Sequence, residues 1–221
     1  MMTSRPPSQN SYDRAELIAD AVIHGIGVSL GLAGAIVLIV IAAGSIPALL
    51  LPSIAIYALG LTSMLGLSAA YNMWPDSPVK GMLRRLDHSA IFVMIAATYT
   101  PFLWRIPEQV PLMALLIGVW VVAIAGVALK LLLPGRFDRA AIALYLALGW
   151  SALLAYDAIA AAIPARSLWL LAAGGVLYST GVIFHAWQRL RFQNAIWHGF
   201  VLLAACCHYA AVLLSLSKAE V

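Results

Sequence analysis

Ser68 and Asn72 lie four residues apart in "LSAAYNMWPD", and Asn194 and His198 repeat that spacing in "FQNAIWHGFVLL". Residues four apart share one face of a helix, so each pair projects two polar groups in the same direction. Asp87 adds a carboxylate, and His24 and His185 add two imidazoles. Imidazoles, carboxylates and hydroxyls exchange protons and polarise substrates. A carboxamide does less: its oxygen accepts hydrogen bonds and its NH2 donates them. All of these residues sit in or beside long apolar runs. Such groups are costly in a membrane and usually face a bundle interior or a water-filled cavity. The pattern therefore points to a polar chamber.

The elements that must position these groups follow from composition. Of 221 residues, 63% are hydrophobic and 10% charged, and the mean hydropathy is +0.95. Soluble domains carry roughly 25% charged residues, so the chain is an integral membrane protein. About 20 apolar residues span a bilayer as a helix, and seven such segments are present: 25–43, 49–74, 87–104, 110–132, 140–163, 168–187 and 195–216. Long apolar runs without alternation must be helices, because lipid offers no partner to open backbone. The expected fold is an all-α bundle of seven transmembrane helices forming one domain over 12–221.

The basic residues orient it. With the N-terminus in the cytoplasm, the inner side receives Arg5, Arg14, Lys80, Arg84, Arg85, Lys130, Arg136, Arg139, Arg189 and Arg191. The outer side receives Arg105, Arg166 and Lys218. Ten against three is a strong inside bias, and seven spans then put the C-terminus outside. The net charge of +4 reflects this topology and not a nucleic-acid partner. Residues 1–11, with two prolines, read as a flexible start, and 12–24 as a short amphipathic helix on the inner surface. They lack the pattern of a cleaved signal. Cys206 and Cys207 are adjacent on one helix, poorly placed to pair, and read as packing residues.

In this topology Ser68, Asn72, Asp87, Asn194 and His198 all fall at the cytoplasmic end, and His24 and His185 reach roughly that level. Each has a plainer reading. Ser68 can bond its own helix backbone, Asn72 can end a helix, Asp87 can cap one or pair with Arg84 or Arg85, and Asn194 can cap the seventh span. His185 and His208 read as packing or interhelical hydrogen-bonding groups.

Taken in order, these residues resemble the hemolysin III branch of the progestin and adipoQ receptor family. The likeness covers nearly the whole chain: "ELIADAVIHGIG", "LSAAYNMWP", "LRRLDHSAIFVMIAATYTPF" and "NAIWHGFVLLAACCHYAAV". The resemblance implies a zinc ion at the cytoplasmic end, held by one His of a Ser-x-x-x-His pattern and two of a His-x-x-x-His pattern, with an Asp near the metal. Ser68, Asp87 and His198 match that pattern. Asn72 and Asn194 stand at the other two ligand positions. An amide nitrogen has no free lone pair and an amide oxygen is a weak donor, so His198 is the sole retained family ligand. Zinc is expected to bind weakly or not at all. The polar groups are then expected to form a network, with Asp87 accepting from Asn72, Asn194, Ser68 or protonated His198.

The leading functional expectation is a non-catalytic protein of the cell membrane, acting in membrane homeostasis or lipid sensing, with membrane lipids as partners. One alternative is a zinc-dependent, ceramidase-like lipid amide hydrolase, with Asp87 as base, Ser68 beside it, and His24 or His185 as substitute ligands. The other is a pore or transporter with cytolytic activity, for which few polar residues line the middle of the helices.

Overall fold

A computed structural model describes residues 12–216 of the protein, and the flexible start expected over 1–11 lies outside them. The described chain is all helix, with no strand among the described residues. Seven helical segments are long and apolar enough to cross a membrane. They are α1 (Arg14–Ser45), α2 (Leu51–Met73), α3 (Pro78–Leu103), α4 (Val110–Leu132), the pair α5 (Asp138–Gly149) and α6 (Tyr156–Ala162), α7 (Ala165–Ala186) and α8 (Gln193–Leu216). α1 packs on α2, α2 on α3, α3 on α4 and α7 on α8, and α1 also packs against α8. Large apolar side chains such as Ile36, Val40, Leu59 and Val121 remain exposed on its outer surface, where lipid would cover them.

Two boundaries differ from expectation. The division at His24 between a surface helix and the first span is absent: α1 is one continuous helix. Its start is fixed by a capping box, in which Asp13 accepts from the Glu16 N–H and the Glu16 side chain accepts from the Asp13 N–H. Nothing interrupts it at Gly25 or Gly27, and Asp20, His24, Gly27 and Gly31 form one buried stripe. Glycine at 31 lets Leu65 of α2 approach, since a Cβ there would lie 2.6 Å from Leu65 Cδ1.

The fifth span is broken. After Gly149 the chain takes a 3-10 turn over Ser151–Ala155 before α6 resumes. Irregular backbone at membrane depth needs protein partners, and Tyr99 of α3 supplies them. Its hydroxyl accepts from the Ala152 N–H at 3.0 Å. It can donate to the carbonyl of Gly149 at 2.9 Å or of Leu148 at 3.1 Å. Ser151 Oγ donates to the Leu148 carbonyl at 2.7 Å. Across the gap, Trp150 Nε1 donates to Ser179 Oγ of α7 at 3.0 Å.

Candidate functional site

The site is assembled where α1 and α8 begin. Glu16 docks the two helices: its Oε1 accepts from the Phe192 N–H at 2.9 Å, and Phe192 is held at φ 59°, in the left-handed region that a bulky residue seldom occupies. Next to it, Arg191 donates to Asp13 Oδ2 at 3.0 Å. With the helix starts in register, Asp20 and His24 of α1 face His198 of α8, and all three are buried.

Asp20 is the hub. Its Oδ1 meets His198 Nδ1 at 2.6 Å. Its Oδ2 accepts from Asn194 Nδ2 at 2.9 Å and stands 3.6 Å from His24 Nε2. The rings of His24 and His198 are tilted against each other with centroids 4.3 Å apart. His24 Nε2 is buried and has no hydrogen-bond partner. The network continues through amides: Asn194 Nδ2 also lies 3.2 Å from Asn72 Oδ1, and Asn72 Nδ2 donates to the Ser68 carbonyl at 2.9 Å.

The sequence places Asn72, Asn194 and His198 at one depth without saying whether they touch; the structure joins them in one network, around a different carboxylate from the expected Asp87. Asp20, and not Asp87, accepts from Asn194 and stands against His198. The sequence reading placed Asp20 on a surface helix, where an acidic side chain needs no explanation. The signal that would have found it is its spacing from His24: four residues, the same one-turn relation that singled out the other two pairs. Asp87 lines the same cavity as Ser68 and His24, with His88 Nδ1 at 3.6 Å. Its expected partner Arg84 instead binds Asp138 at 2.8 Å. His185 faces the same chamber but packs with its ring tilted against Trp197, centroids 5.1 Å apart, and is not among the three clustered ligands. His208 lies deeper, bonded to the Leu171 carbonyl at 3.2 Å.

The three positions that the family resemblance assigns to zinc do not fit that ion: two are carboxamides already engaged with each other and with Ser68. A second donor set is present. Asp20, His24 and His198 each offer one ligand atom within 4.8 Å of the others, forming a candidate metal site. Carboxylate oxygen and imidazole nitrogen are donors that suit zinc and neighbouring divalent ions.

These groups line one end of a cavity of ≈ 1200 Å³. Its polar end carries Asp20, His24, Asn72, Asp87 and His198, and its far end is walled by Leu103, Ile159, Ile163 and Leu168. From Asp87 to Leu103 along α3 the rise is about 24 Å at ~1.5 Å per residue, so the cavity extends through most of the hydrocarbon thickness.

Comparison with known proteins agrees with this architecture. The family model for haemolysin-III related proteins matches residues 16–209. The chain is 35% identical to a hemolysin-3 homolog of Bacillus subtilis (strain 168), over 90% of this chain and 93% of that protein. It is 34% identical to hemolysin-3 of Bacillus cereus, over 96% of each. It is also 30% identical to the human monocyte to macrophage differentiation factor, over 71% of this chain and 67% of that one. No solved structure matches. The chain belongs to the haemolysin-III related family, the hemolysin III branch of the progestin and adipoQ receptor proteins, and is a multi-pass protein of the cell membrane.

Proposed function

We propose that this protein is a lipid-binding sensor of the cell membrane that admits a lipid chain into the bundle and reads its polar head at the Asp20, Asn72, Asp87, Asn194 and His198 end. The cavity carries this reading. Its ≈ 1200 Å³ exceeds the roughly 300–1,000 Å³ of most small-molecule pockets, and its walls change from polar to apolar along the membrane normal. A lipid tail gains little by leaving other tails for an apolar wall, because hydrocarbon is as apolar as leucine. Selectivity therefore falls to the head group, where buried carboxylates, imidazoles and amides offer both donors and acceptors. The basic residues near the starts of α1, α3 and α8 support placing that end at the cytoplasmic face.

Native mass spectrometry of the detergent-solubilised protein tests the proposal. The expected result is one retained lipid per chain, displaced when Ala172, on the cavity wall, is replaced by Phe. A lipid-free protein, or equal retention by Ala172→Phe, would sink it.

A second reading, a lipid amide hydrolase, is favoured by one observation: Asp87 lines the cavity together with Ser68 and His24. A bound metal would supply Lewis-acid polarisation of a carbonyl. Release of fatty acid from a ceramide by the native protein, lost in Asp87→Asn, is the outcome that reading demands.

A further inference from the structure

We infer that Asp20, His24 and His198 bind one divalent transition-metal ion of the zinc class, with Asn194 as the residue that orients the carboxylate. This goes beyond lipid binding and does not depend on it. Four observations converge. The three side chains come from two helices, are all buried, and bring one donor atom each within 4.8 Å of the others. His24 Nε2 is directed toward Asp20 Oδ2 at 3.6 Å yet has no hydrogen-bond partner. A buried imidazole nitrogen left without a hydrogen bond is costly, and metal ligation satisfies it.

The third observation is spacing. Ligands at ~2.0–2.1 Å around a tetrahedral ion are about 3.3 Å apart. The 3.6 Å pair already has that separation. The 2.6 Å contact between His198 Nδ1 and the other carboxylate oxygen, Asp20 Oδ1, must open by about 0.7 Å to reach that separation. That contact is a hydrogen bond which the ion replaces, and the imidazole proton is then carried on Nε2, leaving the Nδ1 lone pair free to ligate.

The fourth is the surrounding shell. Ligating carboxylates are characteristically held by a further hydrogen bond. Asn194 Nδ2 provides it at 2.9 Å and is itself placed by Asn72. Asp20, His24 and His198 also line the large cavity, which gives an ion a route in. Three protein donors is the count of an open zinc site and not of a closed structural one.

The test uses the full chain in detergent, stripped with chelator and titrated with Zn²⁺ alone, with bound metal read by elemental analysis. About one zinc per chain is expected to survive dialysis. Asp20→Asn, which keeps the shape at that position, and His24→Gln are each expected to weaken zinc at least tenfold, while His185→Gln leaves it unchanged. Co²⁺ substitution of the unaltered protein gives a readout that no folding defect can mimic: intense visible absorption of a low-coordinate N/O site is expected. A native protein that takes up no zinc, or gives only the pale spectrum of six-coordinate Co²⁺, would overturn the inference. So would full uptake by the folded Asp20→Asn/His24→Gln double variant. Lipid retention measured on the same samples separates this outcome from that of the lipid-binding proposal.

Discussion

Two carboxylates in the bundle each gather two basic partners, and the partners differ in kind. Asp138, at the start of α5, binds Lys130 Nζ at 2.6 Å and Arg84 Nη2 at 2.8 Å. Asp20 binds His198 Nδ1 at 2.6 Å and approaches His24 Nε2 at 3.6 Å. Lysine and arginine are permanently charged at neutral pH, whereas histidine changes charge and can give its lone pair to a metal. The Asp138 cluster is therefore a lock with a single state, joining α3, α4 and α5. The Asp20 cluster can exchange a proton between its members, and it is the set inferred above to bind a metal. It faces the cavity across amides that can turn over without gaining charge.

The sharpest way to break the comparison is to remove each hub. Lys130 is 3% exposed. Asp138→Ala strands that cation, and an uncompensated buried charge costs about 3–5 kcal/mol. The melting temperature in detergent should fall further than for Asp20→Asn, Asn194→Ala or Asp13→Asn. Lys130→Met added to Asp138→Ala should restore much of the loss, because the penalty lies in the stranded charge. Failure of the second change to rescue would make the lock a matter of packing and not of charge.

Asp20→Asn should cost less, about 1–3 kcal/mol, because it removes hydrogen-bond acceptors without stranding a permanently charged partner. If Asp20→Asn destabilises as much as Asp138→Ala, His198 is held as a fixed cation and the two clusters are alike.

How much of this was legible beforehand divides along the same line. The seven spans were readable because apolar length alone sets them. The shared depth of Asn72, Asn194 and His198 followed from topology and one-turn spacing. Asp20 was missed because an acidic residue among Leu17, Ile18, Ala21 and Val22 reads as the polar face of a surface helix, and only the docking of α1 on α8 through Glu16 and Phe192 turns that face inward. The break at Gly149 was equally hidden. Gly149 sits in a run apolar enough to continue as helix, and the partner that satisfies the break, Tyr99, is fifty residues away. Contacts between distant helices leave no local mark.

A smaller effect sharpens the picture of the amides. Asn194→Ala removes the donor to Asp20 Oδ2 and to Asn72 Oδ1 while leaving all three candidate ligands in place. A loss of about 1 kcal/mol in stability is expected, together with zinc affinity lowered roughly tenfold, the size typical of a lost orienting partner. Unchanged affinity would mean that the two helices alone hold Asp20 in position and that Asn194 is a passive neighbour.

The smallest effect belongs to a third carboxylate, Asp13, which sits outside the membrane span and is exposed. The Glu16 N–H beside it, followed by the Arg191 guanidinium, holds its carboxyl below the ordinary value of 3.8. A group whose folded value is depressed contributes stability above its unfolded value and loses it as pH falls through the folded one. The Asp13 contribution is thus complete at neutral pH and fades only below about pH 4. Asp13→Asn keeps an N-cap acceptor but removes the charge that meets Arg191. Its melting temperature should fall slightly short of the native one at pH 7, and the gap should close as pH drops below 4. The gap should also shrink in high salt, since exposed pairs are screened. The salt dependence is not expected of Asp138→Ala, whose stranded lysine is buried away from the ions that do the screening. A salt-independent gap at Asp13 would place that residue with the buried hubs and not with the surface.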